Sequence, residues 1–153
     1  MPLSLASPAF PSGGRIPVKY TRDGQNVSPP LAWQDAPDQT CSFVVVVEDP
    51  DAPSGTFRHW AIYNIGPGET GLREGASKAE PGTVAQSVND FGNPHYDGPQ
   101  PPKGHGPHHY HFRLAALDIS RLDLPALTTA EEVWKAARPH IIAEAEVVGI
   151  YER

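Results

Sequence analysis

The chain has 153 residues, a formal net charge of -6 at pH 7 and one cysteine, Cys41. This length fits one domain over residues 1–153, and a lone cysteine excludes both an intrachain disulfide and a cysteine-based zinc site. An acidic chain without a basic stripe argues against nucleic acid as the main partner. Because no charged leader and no apolar run of membrane-spanning length is visible, we expect a cytoplasmic protein without a membrane span.

Eighteen prolines and fourteen glycines indicate many turns, so the composition favours a mainly β fold. Residues 1–14 are predicted to form an edge strand or an ordered tail. Residues 16–20 alternate in polarity around Pro17, which suits an edge strand better than a central one. Residues 26–33 follow as a rigid extended segment.

The clearest strand covers residues 42–47, where a run of β-branched side chains predicts burial on both faces of a sheet. Residues 60–65 are predicted as the next strand and residues 83–88 as a short one, with an exposed loop over residues 70–81 between them. Residues 89–106 form a long loop rich in proline and glycine. Its length and its aromatic side chains favour an ordered, functional loop. Cys41, just before the buried strand, is predicted to be a core thiol.

Strand periodicity returns over residues 109–117, with Tyr110 on the apolar face. Because side chains alternate along a strand, His108 falls on that same face, at the end nearest the long loop. The alternation therefore places His108 on the floor of a pocket rather than on the open surface.

Near the C-terminus, residues 128–132 carry overlapping capping-box patterns that predict the start of a helix. Apolar side chains continue at helical spacing to Ile141, and Pro139 breaks or kinks the helix. Residues 147–151 are predicted as a short terminal strand.

The first candidate site follows the buried strand, where Asp49 and Asp51 alternate with prolines and His59 opens the next apolar run. Proline fixes the backbone and so sets the direction of each carboxylate. We interpret Asp49, Asp51 and His59 as one wall of a small anion-binding pocket, in which a carboxylate beside His59 would favour the protonated ring. The alternative is a proline-fixed turn with solvated carboxylates.

The second candidate site is the segment 101–110, which supplies the other wall. Gly104 and Gly106 allow the backbone to approach a ligand, and His108 and Tyr110 supply hydrogen-bond donors. A flexible surface loop with incidental histidines is one alternative. A metal site is another, because four histidines are clustered here: His105, His108, His109 and His111.

Sequence patterns of catalysis are missing from the chain: it has no Gly-x-Ser-x-Gly elbow, P-loop, dinucleotide fingerprint or His-Glu-x-x-His. The carboxylates and histidines could perform general acid–base work, but no nucleophile accompanies them. We therefore expect a binding protein without a cofactor.

Taken together, the motifs closely resemble the phosphatidylethanolamine-binding protein family, also known as the Raf kinase inhibitor protein family, and most of all its compact bacterial branch. The matching stretches cover nearly the whole chain: residues 23–33 (DGQNVSPPLAW), 49–53 (DPDAP), 59–60 (HW), 104–110 (GHGPHHY) and 146–153 (EVVGIYER).

The resemblance implies a large central antiparallel β-sheet flanked by a smaller sheet, with a helix near the C-terminus. It also implies a pocket at one end of the central sheet that accepts phosphate, phosphorylated head groups or similar anions. Carried over position by position, its lining is Asp49, Asp51, His59, Pro101, His108 and Tyr110. Phe57 takes the place of a tryptophan near the mouth in eukaryotic relatives. His109 replaces the arginine of a His-Arg-Tyr triplet, which removes a fixed positive charge.

The leading hypothesis is a non-enzymatic protein that binds a small anion such as phosphate or a phosphoethanolamine-like group. One alternative, suggested by the resemblance, is an inhibitor of a protein kinase or protease, and another is a small phosphoester hydrolase that uses the Asp/His pocket. Relatives in the bacterial branch often pair, so a homodimer is a further expectation. Since the pocket offers no arginine, we expect anion affinity to rise as the pH falls toward the histidine range.

Overall fold

The computed structural model describes residues 2–78 and 84–153. It contains two antiparallel sheets and a helix near the C-terminus, which confirms the predicted fold class. The strands are β1 (Ser4–Ala6), β2 (Leu31–Gln34), β3 (Ser42–Asp49), β4 (Phe57–Ile65), β5 (Gly71–Leu72), β6 (Ala85–Gln86), β7 (His108–Leu117) and β8 (Ile141–Tyr151), and the helix is α1 (Ala130–Ala137). The larger sheet has the order β6-β4-β3-β7-β8, and the smaller sheet has the order β1-β2-β5.

Strand β3 lies at the centre of the larger sheet and is covered on both faces. Val45 and Val47 pack on the side of the smaller sheet, in a cluster that contains Trp33 of β2. Val44 and Val46 pack on the opposite side, in a cluster that contains residues of α1. Two covered faces explain why every side chain in this run is apolar, as predicted.

The predicted edge strand over residues 16–20 is wrong. Val18–Tyr20 form a turn of 3-10 helix, in which the Tyr20 amide donates to the Pro17 carbonyl at 3.0 Å. Ile16 and Tyr20 are buried, whereas Val18 is 44% exposed, so the apolar alternation in the sequence does not define a sheet face. The local turn satisfies backbone groups that a strand would have paired with a neighbour.

At the C-terminus the helix starts as predicted and ends earlier. Thr129 caps α1 by accepting a hydrogen bond from the Glu132 amide at 3.2 Å. Pro139 lies in a 3-10 turn directly after α1, where its ring and missing N–H end the helix. Ile141, predicted to continue the helical face, instead begins β8, so this strand is much longer than predicted.

One of the next two predicted segments differs from expectation. The predicted loop over residues 70–81 contains β5 and a 3-10 turn at Ala76–Lys78, while its residues 79–81 lie outside the described part of the chain. The short strand predicted over residues 83–88 corresponds to β6, with Thr83 also outside the described residues.

Cys41, which was predicted to be a core thiol, is half-buried before β3 and is not part of the core. Within residues 2–78 and 84–153, no helix has the length and apolar character needed to cross a membrane.

Candidate functional site

A cavity of about 270 Å³ lies at one end of the larger sheet. Strand β3 runs antiparallel to both β4 and β7, so its C-terminal end lies beside the N-terminal ends of those strands. This topology brings together five of the residues predicted for the pocket. They are Asp49, His59, Pro101, His108 and Tyr110.

Asp49 and His108 form the buried base of this cavity, with 3% and 1% of their surface exposed. The Asp49 Oδ2 atom lies 2.6 Å from His108 Nδ1, and Asp49 Oδ1 accepts the Asp51 amide at 2.8 Å. Both oxygens of the buried carboxylate therefore have donors, as a buried charge requires. The second ring nitrogen of His108, Nε2, lies 2.6 Å from Nδ1 of His105.

Asp51, predicted to line the same wall, lies outside the cavity on the exposed side of the turn. Its Oδ2 accepts hydrogen bonds from the backbone amide and from Nδ1 of His109, both at 2.8 Å. Burial raises the pKa of Asp51, but these bonds and the charge of His109 outweigh it and lower the pKa overall. The physical reason is the alternation of side chains along β7, which places His109 on the face opposite to His108 and Tyr110. Asp51 lies on that opposite face because it is hydrogen-bonded to His109. Asp51 therefore links the turn that follows β3 to strand β7 through hydrogen bonds.

His59 has a partner other than the predicted carboxylate. Its Nδ1 bonds the backbone carbonyl of Asp97 at 2.8 Å, and the side chain is buried. Burial lowers the pKa of His59 and outweighs the raising effects of the Asp97 carbonyl and of the nearby Asp49 charge. The expectation that a carboxylate would keep this ring protonated is thus wrong. A neutral ring that donates from Nδ1 leaves Nε2 as an acceptor for a ligand.

A β-bulge directs His59 into the cavity. Val47 and Glu48 are consecutive on β3, whereas their partners on β4 are Trp60 and Arg58, which leaves His59 as the extra residue. Regular alternation would have placed His59 with Ala61, on the face covered by the helix. With the bulge, its ring centroid lies 5.3 Å from that of Tyr110. Bulges commonly redirect a side chain beside a functional site, and this one completes the polar set.

Aromatic rings form the wall next to the polar base. Phe57 packs on His59 with centroids 4.9 Å apart and on Phe91 at 4.7 Å. Tyr110 is 1% exposed, and burial together with nearby carboxylates raises its pKa far above the ordinary value. Its hydroxyl therefore stays protonated at any physiological pH and can donate to a ligand. Among the described residues it has no side-chain hydrogen-bond partner.

Asp97, which was not predicted as a site residue, organises the long loop. Asp97 Oδ1 accepts from Asn26 at 2.8 Å, and Oδ2 accepts from Asn89 at 2.9 Å and from Asn93 at 2.8 Å. Burial raises the pKa of Asp97, but the three amide donors outweigh it and lower the pKa overall. Because the carbonyl of the same residue holds His59, this network positions the ring. The asparagines at positions 89 and 93, close before Asp97, were the available signal in the sequence.

The last residue of the chain was also missed. Arg153 donates from Nε to the carbonyl of Pro101 at 2.8 Å and from Nη1 to Asp23 at 2.7 Å. Its own carbonyl accepts the Gly104 amide at 3.0 Å. Arg153 thereby holds the loop that forms the second wall of the cavity.

The histidine cluster considered as a metal site is divided between two faces of β7. His109 pairs with Asp51, and His111 lies 3.3 Å from Glu146, both away from His105 and His108. Within the described ranges, no group of three or more histidine, cysteine, aspartate or glutamate side chains is arranged to hold a metal ion.

Comparison with known proteins gives matches along the whole chain. Residues 6–152 match the phosphatidylethanolamine-binding protein family. A UPF0098 protein of the bacterium Aquifex aeolicus is 41% identical over 99% of this chain and 89% of its own length. A UPF0098 protein of the archaeon Methanothermobacter thermautotrophicus is 44% identical over 99% of both chains, so relatives occur outside bacteria. The crystal structure of Escherichia coli YbcL, described as a member of the mammalian PEBP family, superposes with a TM-score of 0.95 at 31% identity, covering 100% of this chain and 99% of YbcL.

Proposed function

Because the chain belongs to the phosphatidylethanolamine-binding protein family, we propose that it is a non-enzymatic binding protein whose cavity takes phosphate or a phosphorylated head group. The observation that supports this proposal is the convergence of Asp49, His59, His108 and Tyr110 on one cavity. At about 270 Å³ the cavity is near the lower end of ligand pockets, which suits a head group better than a large ligand.

The charges of the cavity determine which form of phosphate it takes. Its described lining includes the carboxylate of Asp49 and no arginine, so a fully ionised phosphate would meet an uncompensated negative charge. A phosphate monoester keeps one acidic proton below about pH 6. That form accepts a hydrogen bond from the Tyr110 hydroxyl and donates its own O–H to the free Nε2 of His59. Affinity should therefore rise as the pH falls from 8 to about 5.5.

Calorimetric titration of phosphoethanolamine between about pH 5 and 8 tests this proposal. Tyr110→Phe removes one buried donor and keeps the ring, so we expect binding at pH 6 to weaken about 5- to 10-fold, the value of one hydrogen bond. The matched control is His140→Ala, since His140 pairs with Asp118 outside the cavity. Wild-type protein that binds no phosphoethanolamine at any of these pH values would refute the proposal.

His108 is a less suitable position for this test. In the structure His108 is 1% exposed and donates to the buried Asp49 carboxylate. Removing the ring leaves that carboxylate short of a donor, so the variant is expected to be less stable as well as weaker in binding.

The same chemistry extends to a phosphorylated side chain displayed on a protein, which is how a kinase or protease partner would engage the cavity. A pull-down with phosphorylated and unphosphorylated forms of one peptide, repeated with Tyr110→Phe, distinguishes this mode from binding of free phosphate.

Incubation with a panel of phosphoesters tests the enzymatic alternative. Turnover that Tyr110→Phe abolishes would make the protein a hydrolase and overturn the non-enzymatic assignment.

A further inference from the structure

An exposed imidazole is hydrogen-bonded to the buried one at the base of the cavity. His105 Nδ1 lies 2.6 Å from His108 Nε2, and the ring centroids are 4.8 Å apart. His105 itself is exposed, whereas His108 is 1% exposed. Nothing in the proposed binding mode assigns a role to His105.

The positions of the protons in this contact determine which hydrogen bonds His108 can donate to a ligand. Its Nδ1 donates to the Asp49 carboxylate, because an ionised carboxylate only accepts hydrogen bonds. Its Nε2 lies 2.6 Å from His105 Nδ1, with one proton between the two nitrogens. When both rings are neutral, that proton belongs to His105 and leaves with it. When the pair carries one additional proton, His105 leaves as a neutral ring and the proton stays on His108 Nε2. Both ring nitrogens are therefore engaged, and His108 has no N–H left for an oxyanion. In this arrangement, although His108 lines the cavity, a ligand gains no hydrogen bond from it.

We propose that His105 is an internal competitor for Nε2 of His108, and that an oxyanion obtains an N–H there only by displacing neutral His105 from the pair while the additional proton stays on His108. This inference rests on the proposed function. It makes His105 a residue that sets ligand selectivity, because only a strong hydrogen-bond acceptor replaces an imidazole that is already in place. Neutral or weakly accepting ligands leave the His105–His108 contact intact.

The backbone around His105 allows this displacement. Gly104 and Gly106 flank it with φ values of 75° and 89°, in the left-handed region that glycine adopts freely. A Cβ atom at either glycine would meet nothing within 4 Å, so the segment is not packed against a neighbour there. The Gly104 amide is bonded to the carbonyl of Arg153 at 3.0 Å, which anchors one end of the segment while the ring moves.

Removing the competitor should tighten binding. The apparent affinity of a site is reduced when one of its hydrogen-bonding groups is engaged within the protein in a fraction of the molecules. One imidazole hydrogen bond corresponds to an affinity gain of about 3- to 10-fold for His105→Ala with phosphoethanolamine at pH 6, measured by calorimetry. His140→Ala, which changes a half-buried histidine outside the cavity, is the control and should bind as the wild type does.

The outcomes separate this inference from the proposed function. Tighter binding by His105→Ala than by the wild type supports the competitor role. Equal or weaker binding beside a wild-type protein that binds overturns the competitor role and leaves the proposed function standing. Absence of binding by every variant overturns both.

A second measurement follows the ring itself. In nitrogen-15 spectra of the histidine rings, the His105 Nδ1 resonance should shift to that of a solvent-exposed ring when the wild type is saturated with phosphoethanolamine. A resonance that keeps its hydrogen-bonded position at saturation would show that the contact survives binding, which also overturns the inference.

Discussion

Replacing Asp97 with asparagine tests whether one buried carboxylate organises the long loop. The carboxylate accepts three side-chain amides: Asn26 on Oδ1, and Asn89 and Asn93 on Oδ2, all at 2.8 to 2.9 Å. Asparagine carries a single acceptor oxygen. If that oxygen keeps the two amides on the Oδ2 side, the new NH₂ group faces the NH₂ group of Asn26, donor against donor.

The magnitude follows from these contacts. One hydrogen bond to a charged group is lost, at about 1.5–3 kcal/mol, and two others change from charge-assisted to neutral, at about 1 kcal/mol each. Relief of the cost of burying a charge offsets part of this sum. We expect the free energy of unfolding at pH 7 to fall by about 2–4 kcal/mol. Asp38→Asn, at an exposed position, is the matched control and should stay within about 0.5 kcal/mol of the wild type.

Urea unfolding at pH 7 and at pH 3 measures the effect and its pH dependence. The pKa of Asp97 is lowered on folding, so its contribution is present above the ordinary value of 3.8 and is lost as the pH falls through the folded-state pKa. The stability difference between wild type and Asp97→Asn should therefore be largest at pH 7 and smaller at pH 3. A variant that unfolds at the same urea concentration as Asp38→Asn would refute the assignment of this network as the support of the loop.

Two further predictions concern packing and pH. Gly149→Ala should lower the free energy of unfolding by about 1–3 kcal/mol, because a Cβ atom there would lie 2.4 Å from Ile16 Cγ1 and 2.9 Å from Phe10. Gly68→Ala, where a Cβ meets nothing within 4 Å, is its control in thermal unfolding, and equal stability of the two variants would contradict the prediction. Burial lowers the pKa of His59 below its ordinary value of 6.5. As the pH falls, this histidine is therefore protonated in the unfolded chain before it is protonated in the folded chain. Stability contributed at this position should thus fall below pH 6.5, and the stability of wild type relative to His59→Gln should be smaller at pH 5 than at pH 7.5. A difference that does not change with pH would show that the ring titrates normally.

Sequence patterns that involve only a few neighbouring residues determined several elements of the fold and part of the cavity lining. The β-branched run of β3 required burial on both faces, and the structure covers it on both. Alternation along β7 placed His108 and Tyr110 on one face, where both are buried. The cap at Thr129 marked the start of α1. These features follow from local geometry, because the side-chain directions of a strand and the hydrogen bonds of a helix start depend on adjacent residues.

Tertiary structure decided the rest of the candidate site. Asp51 turned outward to His109, and His59 turned inward because strand register produced a bulge that no alternation pattern contains. The carboxylate of Asp97 came to support His59 through the loop that packs over β4. Burial then outweighed the nearby charges and left His59 with a lowered pKa. Strand register, loop packing and desolvation depend on which distant segments of the chain come into contact. The residue types of the pocket could therefore be predicted from the sequence, whereas their hydrogen-bond partners and protonation states could not.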